Sequence, residues 1–257
     1  MRVRVDYDQR QYAVYAKARA LTPEATSQWM EVFARYAGPR RPLDVLDLGC
    51  GTGRFTPALA DAFGGPVYGV EPSDRMRAVA EETARHERVR YLAGAAGRIP
   101  LPDRSCDLVL LFLVLHHVPD RAAAAAEIAR VLRPGGTLLI RNTFGDRMPD
   151  LVWHRYFPRA RALEEELFPA LPDVVRTFTA AGLREVAVER VRYEFAASLA
   201  EHAERLRLRA VCTFEYLSEE ETEAGFAAMA EAVAAEHTPQ PVYGDCDLLV
   251  MSRDAPP

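Results

Sequence analysis

Residues 43–55 read LDVLDLGCGTGRF, in which an apolar run leads into three glycines, Gly49, Gly51 and Gly53. The run Leu43–Leu48 is typical of a strand buried inside a parallel sheet. Glycine between a strand and a helix allows a sharp turn, and it lets a ligand lie against the backbone beside the unpaired N–H groups of the helix start. The stretch therefore predicts a ligand-binding loop in an α/β fold.

Strand-like and helix-like patterns alternate after this loop. Phe55, Leu59 and Phe63 have helical spacing, and Gly64-Gly65 ends that helix. The predicted strands are 43–48, 67–70, 89–93, 106–114, 137–143, 185–195 and 247–251. Such alternation predicts a parallel sheet with helices on both faces. Ser198 with Glu201 and Ser218 with Glu221 are spaced as capping boxes, which predicts two further helices.

The composition is that of an ordinary globular chain. Of its 257 residues 49% are hydrophobic, and 32 basic residues against 37 acidic ones give a net charge of −5. This balance offers no basic surface for a phosphate backbone, so we expect no nucleic-acid partner. The four cysteines are far apart in the sequence, which excludes a zinc ribbon and disfavours a disulfide framework.

We expect neither a signal peptide nor a membrane span, because residues 1–6 lack the apolar stretch of a signal peptide. The longest apolar run, Leu108–Leu115, has eight residues, whereas a spanning helix needs about 20. We therefore expect a cytoplasmic protein without a membrane partner, present as a monomer or a homodimer.

The residues around the glycines favour a ligand with an amino group and no phosphate. Arg54 stands where the dinucleotide fingerprint G-x-G-x-x-G has its third glycine, which disfavours a nicotinamide dehydrogenase. Asp47 would repel a phosphate but attract an ammonium group. Glu71, at the end of the second strand, can accept hydrogen bonds from both hydroxyls of a ribose. Adenosine joined to an amino acid fits both features.

Four motifs, in one consistent order, resemble a known family. Residues 47–53, DLGCGTG, are similar to the first motif of class I S-adenosylmethionine-dependent methyltransferases. Residues 69–73, GVEPS, resemble their ribose motif, and residues 132–136, LRPGG, resemble their late motif. Residues 107–118, which end in HHV, are similar to the fourth strand of the group that contains ubiquinone-biosynthesis-type small-molecule methyltransferases.

The resemblance implies a Rossmann-like α/β fold with a seven-stranded, mostly parallel sheet, helices on both faces and a small helical cap. Residues 1–40 would form an N-terminal helical lid, 41–145 the cofactor-binding core and 146–257 the rest of the core, with cap insertions at about 146–170 and 198–237. The implied cofactor is S-adenosylmethionine. Its implied binding residues are Tyr15, Arg19, Asp47, Gly49, Cys50, Gly51, Gly53, Glu71, Pro72, Met76, Ala95, Ala96, Phe112 and His117.

The loop after the third strand departs from the family pattern, whereas the N-terminal segment matches it. Family members commonly have Gly-Asp-Ala after the third strand, where the Asp accepts from the adenine amino group, but this chain has Gly94-Ala95-Ala96. We expect backbone contact from Ala95 or Ala96 instead, and weaker cofactor binding, since one lost hydrogen bond costs about 0.5–1.5 kcal/mol. Tyr15 and Arg19 match a Tyr-x-x-x-Arg pattern in which the Arg pairs with the methionine carboxylate; surface packing is the alternative.

Methyl transfer from a sulfonium needs alignment and exclusion of water. The reaction needs no metal, and we predict no metal site because no ligand set has suitable spacing. His116 and His117 follow the fourth strand, where the reacting methyl would lie, and either can act as a base near neutral pH. Packing under the next helix or against the cofactor is the alternative. Glu215 is a further candidate, as a base or as an amine anchor.

Aromatic residues in the predicted cap favour a small planar acceptor. They are Trp29, Trp153, His154, Tyr156, Phe157, Phe214 and Tyr216. Arg141 and Asn142 end the fifth strand, at the sheet edge where ligands bind. We expect C- or N-methylation, rather than O-methylation, of a small aromatic molecule in bacterial secondary metabolism. The alternative is a protein that binds S-adenosylmethionine without methyl transfer, as a sensor, a partner subunit or a cyclase.

Overall fold

Seven strands form one sheet in the computed structural model, which describes residues 7–254 except for the side chain of Arg10. The strands are β1 (Leu43–Leu48), β2 (Gly64–Glu71), β3 (Val89–Ala93), β4 (Cys106–Phe112), β5 (Leu132–Asn142), β6 (Leu183–Ala196) and β7 (Val242–Arg253). Their order across the sheet is β3-β2-β1-β4-β5-β7-β6. Neighbours are parallel, except that β7 is antiparallel to β5 and to β6. The predicted mostly parallel, Rossmann-like sheet with an antiparallel final pair is confirmed. Residues 1–6 of the predicted lid lie outside the described part.

Helices cover both faces of the sheet. They are α1 (Tyr12–Ala18), α2 (Pro23–Ala37), α3 (Thr56–Phe63), α4 (Asp74–Thr83), α5 (Arg121–Val131), α6 (Pro158–Leu167), α7 (Leu171–Ala180), α8 (Leu199–Arg207) and α9 (Glu219–Ala235). Successive side chains of β1 point to opposite faces of the sheet. Val45 packs in an apolar cluster with Trp29 of α2 on one face, and Leu46 packs in a second cluster with Phe178 of α7 on the other face. Within residues 7–254 no helix is both long and apolar enough to cross a membrane.

Five of the seven predicted strands have other bounds in the structure: β2 and β6 are longer at both ends, and β4, β5 and β7 differ for identifiable reasons. β5 begins at Leu132 rather than at Thr137, so the chain enters this strand directly from α5. β4 ends at Phe112 rather than at Val114, because Leu113 has a φ of +59°, which is left-handed and ends an extended strand. β7 extends well beyond 247–251 because it pairs with β6 from Val242 onward.

The segments predicted as cap insertions share a small apolar cluster of their own. Trp153, Phe157, Phe214 and Phe226 belong to it, and they come from the chain before β6 and from the chain between β6 and β7. At the start of α9 the predicted capping box, Ser218 with Glu221, is present. At the start of α8, Ser198 accepts from the N–H of Glu201, but the Glu201 carboxylate accepts from Ala197 instead of from Ser198.

Candidate active site

The glycine loop lies between β1 and α3, at the carboxyl edge of the sheet. The N–H of Gly49 donates to the Val70 carbonyl at 2.7 Å. Gly49 has a φ of +75°, which favours glycine, and a Cβ there would lie 2.6 Å from a methyl of Val114. Gly51 has a φ of +57°, and a Cβ there would point at Met76 (3.4 Å) and Tyr15 (3.9 Å). Gly49 therefore allows close packing against Val114, whereas Gly51 leaves space open between Met76 and Tyr15.

Glu71 ends β2 beside this loop. Its carboxylate oxygens accept from two backbone N–H groups, Gly51 at 3.0 Å and Ser73 at 2.9 Å. Burial raises the pKa of the Glu71 carboxyl, although both hydrogen bonds act in the opposite direction. Each carboxylate oxygen keeps a further lone pair, so this side chain is fixed in position and can still accept from a ligand.

A first cavity of about 520 Å³ opens over the loop and Glu71. The predicted cofactor residues that line it are Tyr15, Gly49, Gly51, Glu71, Pro72, Met76, Phe112 and His117. Tyr7, Asp8 and Ser73 line it too, and the sequence analysis did not assign them to it. Asp8 joins this wall because its carboxylate accepts from the Ser73 hydroxyl at 2.6 Å and from the Arg75 N–H at 3.1 Å.

Four other predicted cofactor residues are not in the lining of this cavity. Asp47 is buried, and its carboxylate accepts from the Thr56 hydroxyl at 2.7 Å; burial raises its pKa to about 6. Cys50 is buried, and burial raises the pKa of its thiol. Gly53 packs against Tyr91. Arg19 lines a second cavity instead.

Ala95 and Ala96 also lie apart from the first cavity. The N–H and the carbonyl of Ala95 pair with the carbonyl and the N–H of Arg98, at 3.4 Å and 2.9 Å. Ala96 is buried in the apolar core. The Ala95 carbonyl keeps a second lone pair, and the expected backbone contact from Ala95 or Ala96 stays a prediction.

A second, narrower cavity of about 120 Å³ adjoins the first. Much of its lining is apolar or aromatic, with Trp153, Phe168, Tyr193 and Phe195 among the larger side chains. Four residues line both cavities, namely Tyr7, Tyr15, Leu113 and His117. We call these four residues the shared wall. The two cavities therefore lie next to each other at these four residues.

His117 is part of the shared wall, and its Nε2 lies 2.7 Å from the Tyr7 hydroxyl. Burial lowers the pKa of His117 to about 4. Burial, and then the neighbouring His117, lower the pKa of His116 well below its usual value. Both imidazoles are therefore neutral at pH 7, and each can accept a proton.

The tautomer of His116 follows from its neighbour Asn142, which is fully buried at the end of β5. The Asn142 Nδ2 donates to the Thr143 carbonyl, so Oδ1 is the amide atom that faces His116 Nδ1, at 3.3 Å. Because an amide oxygen only accepts, His116 carries its proton on Nδ1. The lone pair on His116 Nε2 is then the basic site, and His116 lines the second cavity.

Cys212 lies beside the two histidines. Sequence spacing did not reveal this proximity, because Cys212 comes from a distant segment of the chain. One ligand atom from each of His116, His117 and Cys212 falls within 4.8 Å of the others. Burial raises the pKa of the Cys212 thiol to about 12, so the sulfur is protonated at pH 7, whereas a metal binds the thiolate. The predicted absence of a metal site stays a prediction.

Glu215 is not brought to either cavity. It is exposed, and its carboxylate lies 3.4 Å from the Gln11 side-chain nitrogen. Its neighbours Thr213 and Phe214 take the inward positions of this short helical turn, so the prediction of Glu215 as a base is not supported. The buried carboxylate of the second cavity is instead Glu164, which accepts from His154 at 3.0 Å and from Thr213 at 2.7 Å.

Of the aromatic residues assigned to the acceptor pocket, only Trp153 lines the second cavity. Trp29 is fully buried in the core beside the sheet, and Phe157 and Phe214 pack within the cap cluster. Three cavity residues that the sequence analysis did not single out are Tyr193, Phe195 and His202. The first two lie on β6, which gave only a strand signal, and His202 lies on α8.

Comparison with known proteins gives the family. A family model described as a methyltransferase domain matches residues 46–140. A demethylmenaquinone methyltransferase from Bacillus licheniformis is 30% identical over 203 residues, which cover 70% of this chain and 84% of the relative. The chain belongs to the class I S-adenosylmethionine-dependent methyltransferases, in the group of menaquinone- and ubiquinone-type enzymes. It is a methyltransferase that acts on a small molecule, and S-adenosylmethionine is its cofactor.

Solved structures share the fold at lower identity. A protein from an antibiotic biosynthesis pathway of Anabaena variabilis is 20% identical, with a TM-score of 0.69, and the match covers 91% of this chain and 98% of that one. The [4+2]-cyclase SpnF is 21% identical, with a TM-score of 0.61, and the match covers 93% and 85% of the two chains. At these identities the likeness concerns the fold.

Proposed function

We propose that the first cavity binds S-adenosylmethionine and the second cavity binds a planar acceptor, so that methyl transfer takes place beside the shared wall, where the two cavities meet. The shared wall is the observation that carries this proposal. The cofactor supplies an electrophilic methyl group, and in-line displacement requires the acceptor atom directly opposite the departing sulfur. Two adjoining cavities with four residues in common suit that requirement.

The cofactor assignment rests on Glu71 and on the space left by the glycine loop. Glu71 is fixed by two N–H donors and would accept from the ribose hydroxyls. Gly51 leaves free the region between Met76 and Tyr15. Arg19 lines only the second cavity, so we assign it to the acceptor side rather than to the methionine carboxylate. Residues 7–40 would act as the lid, and the segments 146–170 and 198–237 as the cap.

The acceptor assignment rests on the aromatic lining of the second cavity. Flat rings such as those of Trp153 and Phe168 pack well against a planar molecule. We propose methylation at carbon or nitrogen of such a molecule, in bacterial secondary metabolism. Demethylmenaquinone, which gives the relatives their name, is the first acceptor to test.

We propose His116 as the base that removes the proton released on methylation. Asn142 fixes the proton of His116 on Nδ1, which leaves Nε2 free to accept. Burial lowers the pKa of His116, so this imidazole is a weak base at pH 7. Methylation of a neutral acceptor moves the positive charge from the sulfonium to the acceptor, which becomes strongly acidic and can give up its proton even to a weak base.

The test uses methyl-labelled S-adenosylmethionine with demethylmenaquinone, and in parallel with the small-molecule fraction of a bacterial extract. We expect label in a small molecule, and a turnover lower by about a hundredfold or more in His116→Asn. His237→Gln changes an exposed histidine and should keep full activity. Label in protein or nucleic acid would overturn the acceptor class. Loss of S-adenosylhomocysteine binding in His116→Asn would overturn the assignment of His116 as a base.

A further inference from the structure

Arg141 places a buried cation in the second cavity. It lies on β5, where it pairs with Phe112 of β4 and with Leu248 of β7. Its side chain is only 4% exposed, and Arg141 lines the second cavity. The guanidinium carbon lies 4.4 Å from the centre of the Phe112 ring, and 5.4 Å from the rings of Trp29 and Tyr193. Three aromatic faces therefore surround this charge.

Within residues 7–254, no anionic side chain pairs with Arg141. One guanidinium nitrogen donates to the Tyr193 hydroxyl, and the Nε is buried without a hydrogen-bond partner. Among the residues that the structure describes, no carboxylate forms an ion pair with Arg141, whereas Arg130 and Arg190 each have one. Glu164, the buried carboxylate of this cavity, is already engaged by His154 and Thr213.

An unpaired buried guanidinium is costly, and aromatic faces offset only part of that cost. An anionic oxygen from a ligand would supply the missing partner, because the planar guanidinium fork matches a carboxylate or a phenolate. The histidines of this cavity are neutral, and Arg19, the other arginine of its lining, is partly exposed, so the cost of burial falls on Arg141. The arrangement therefore selects among acceptors by charge as well as by shape.

We propose that Arg141 anchors an ionised oxygen of the acceptor, which makes the acceptor a planar aromatic acid or phenol. The inference rests on the proposed function. Phe112, which lies against the guanidinium, also lines the first cavity. An oxygen held at Arg141 would thus lie close to the shared wall, beside the reacting atom. When that oxygen is a phenolate, its negative charge makes the ortho and para ring carbons more nucleophilic, whereas a carboxylate would serve only as an anchor.

The test measures binding of paired probes by isothermal titration, with S-adenosylhomocysteine present. One pair is 2-naphthoate and its neutral analogue 2-naphthylmethanol, and the other pair is dinitrophenolate and its neutral methyl ether. The wild type should prefer the charged member of at least one pair by about tenfold. The pair with the larger preference shows whether the oxygen is a carboxylate or a phenolate.

Arg141→Met should abolish this preference while the affinity for the neutral probe changes little. Arg192→Met is the matched control, since it removes an exposed arginine that lies over Tyr243 at the cavity rim, and it should keep the preference. If the melting curve shows that Arg141→Met is unfolded, Arg141→Gln takes its place.

Equal affinity of the wild type for charged and neutral probes would overturn the proposal. The proposal would also be overturned if Arg141→Met weakened S-adenosylhomocysteine binding as much as it weakened probe binding. Arg141 would then serve the cofactor. Failure of the wild type to bind S-adenosylhomocysteine would instead contradict the proposed cofactor site, so the two failures are distinguishable.

Discussion

Glu71 is the residue on which cofactor affinity should depend most. Its substitution by alanine removes the acceptor of the ribose hydroxyls and also leaves two backbone N–H groups, of Gly51 and Ser73, without their partner. We expect Glu71→Ala to weaken S-adenosylhomocysteine binding by about tenfold or more. Isothermal titration of the purified variant measures this change.

Glu81→Ala is the control for that measurement. Glu81 is exposed on α4 and lines neither the first nor the second cavity, so its loss should leave the affinity unchanged. An unaltered dissociation constant in Glu71→Ala would contradict the placement of the cofactor.

Single residues were predictable where a strand end determines them. Glu71 ends β2, and His117 lies in a short helical turn soon after β4; parallel strands bring such residues to one edge. Tyr7 and Cys212 were not predictable as site residues, because distant segments of the chain deliver them. Glu215 was predicted as a site residue but lies outside both cavities, because its side chain is exposed although the two residues before it are buried.

At the scale of elements, strand positions were predicted well and strand ends less well. β1 is buried on both faces and mostly apolar, with only Asp44 and Asp47 as polar residues, and its predicted limits match the structure. β7 mixes glycine and charged residues in its first half, and only its pairing with β6 makes that half a strand. Periodicity detects burial, whereas the pairing that extends a strand depends on its partner.

The short π-helical turn Tyr7–Gln11 is the element that we expect to control cofactor retention. Asp8 fastens it to the start of α4, through the Ser73 hydroxyl and the Arg75 N–H. Asp8→Ala should release Tyr7 from the first cavity and weaken S-adenosylhomocysteine binding by about three- to tenfold. Stopped-flow measurement should assign the change to faster dissociation.

A suitable control for Asp8 is Glu24→Ala, which removes an exposed acid from the first turn of α2. A dissociation rate of Asp8→Ala that matches both the control and the wild type would show that the turn does not hold the cofactor.

For the molecule as a whole, buried histidines should make folding stability depend on pH. Burial lowers the pKa of His117 and of His202 to about 4, from 6.5. Between these values the unfolded chain binds more protons than the folded one, so stability is full above pH 6.5 and is lost as the pH falls toward 4. Asp47, with a pKa raised to about 6, acts in the opposite direction over the lower part of this range.

Substitution of one histidine separates its share of this pH dependence. When the pH falls from 7 to 5, the free energy of unfolding should decrease by about 2 kcal/mol less in His202→Gln than in the wild type. Urea unfolding at both pH values measures the difference. The exposed His237→Gln should behave as the wild type. A His202→Gln curve parallel to that of the wild type would show that His202 titrates normally in the folded protein.

The overall architecture followed from the alternation of strands and helices, together with four motifs in order. The second cavity did not, because it forms between α1, β6, α8 and the segment around Trp153, which are distant in the sequence. Its charges, Arg141 and Glu164, were visible as residue types, but their burial depends on the packing of the whole chain. Prediction thus reached the cofactor half of the site and left the acceptor half open.

Leu113, in the shared wall, has a left-handed backbone with a φ of +59°. Such a conformation costs a residue with a side chain roughly 1–2 kcal/mol, and glycine largely avoids that cost. Glycine at this position would remove the leucine side chain from the boundary between cofactor and acceptor. Selection for thermal stability alone should therefore favour glycine here, whereas selection for product yield should retain leucine. In an enzyme-engineering campaign, position 113 would be the place where these two aims conflict.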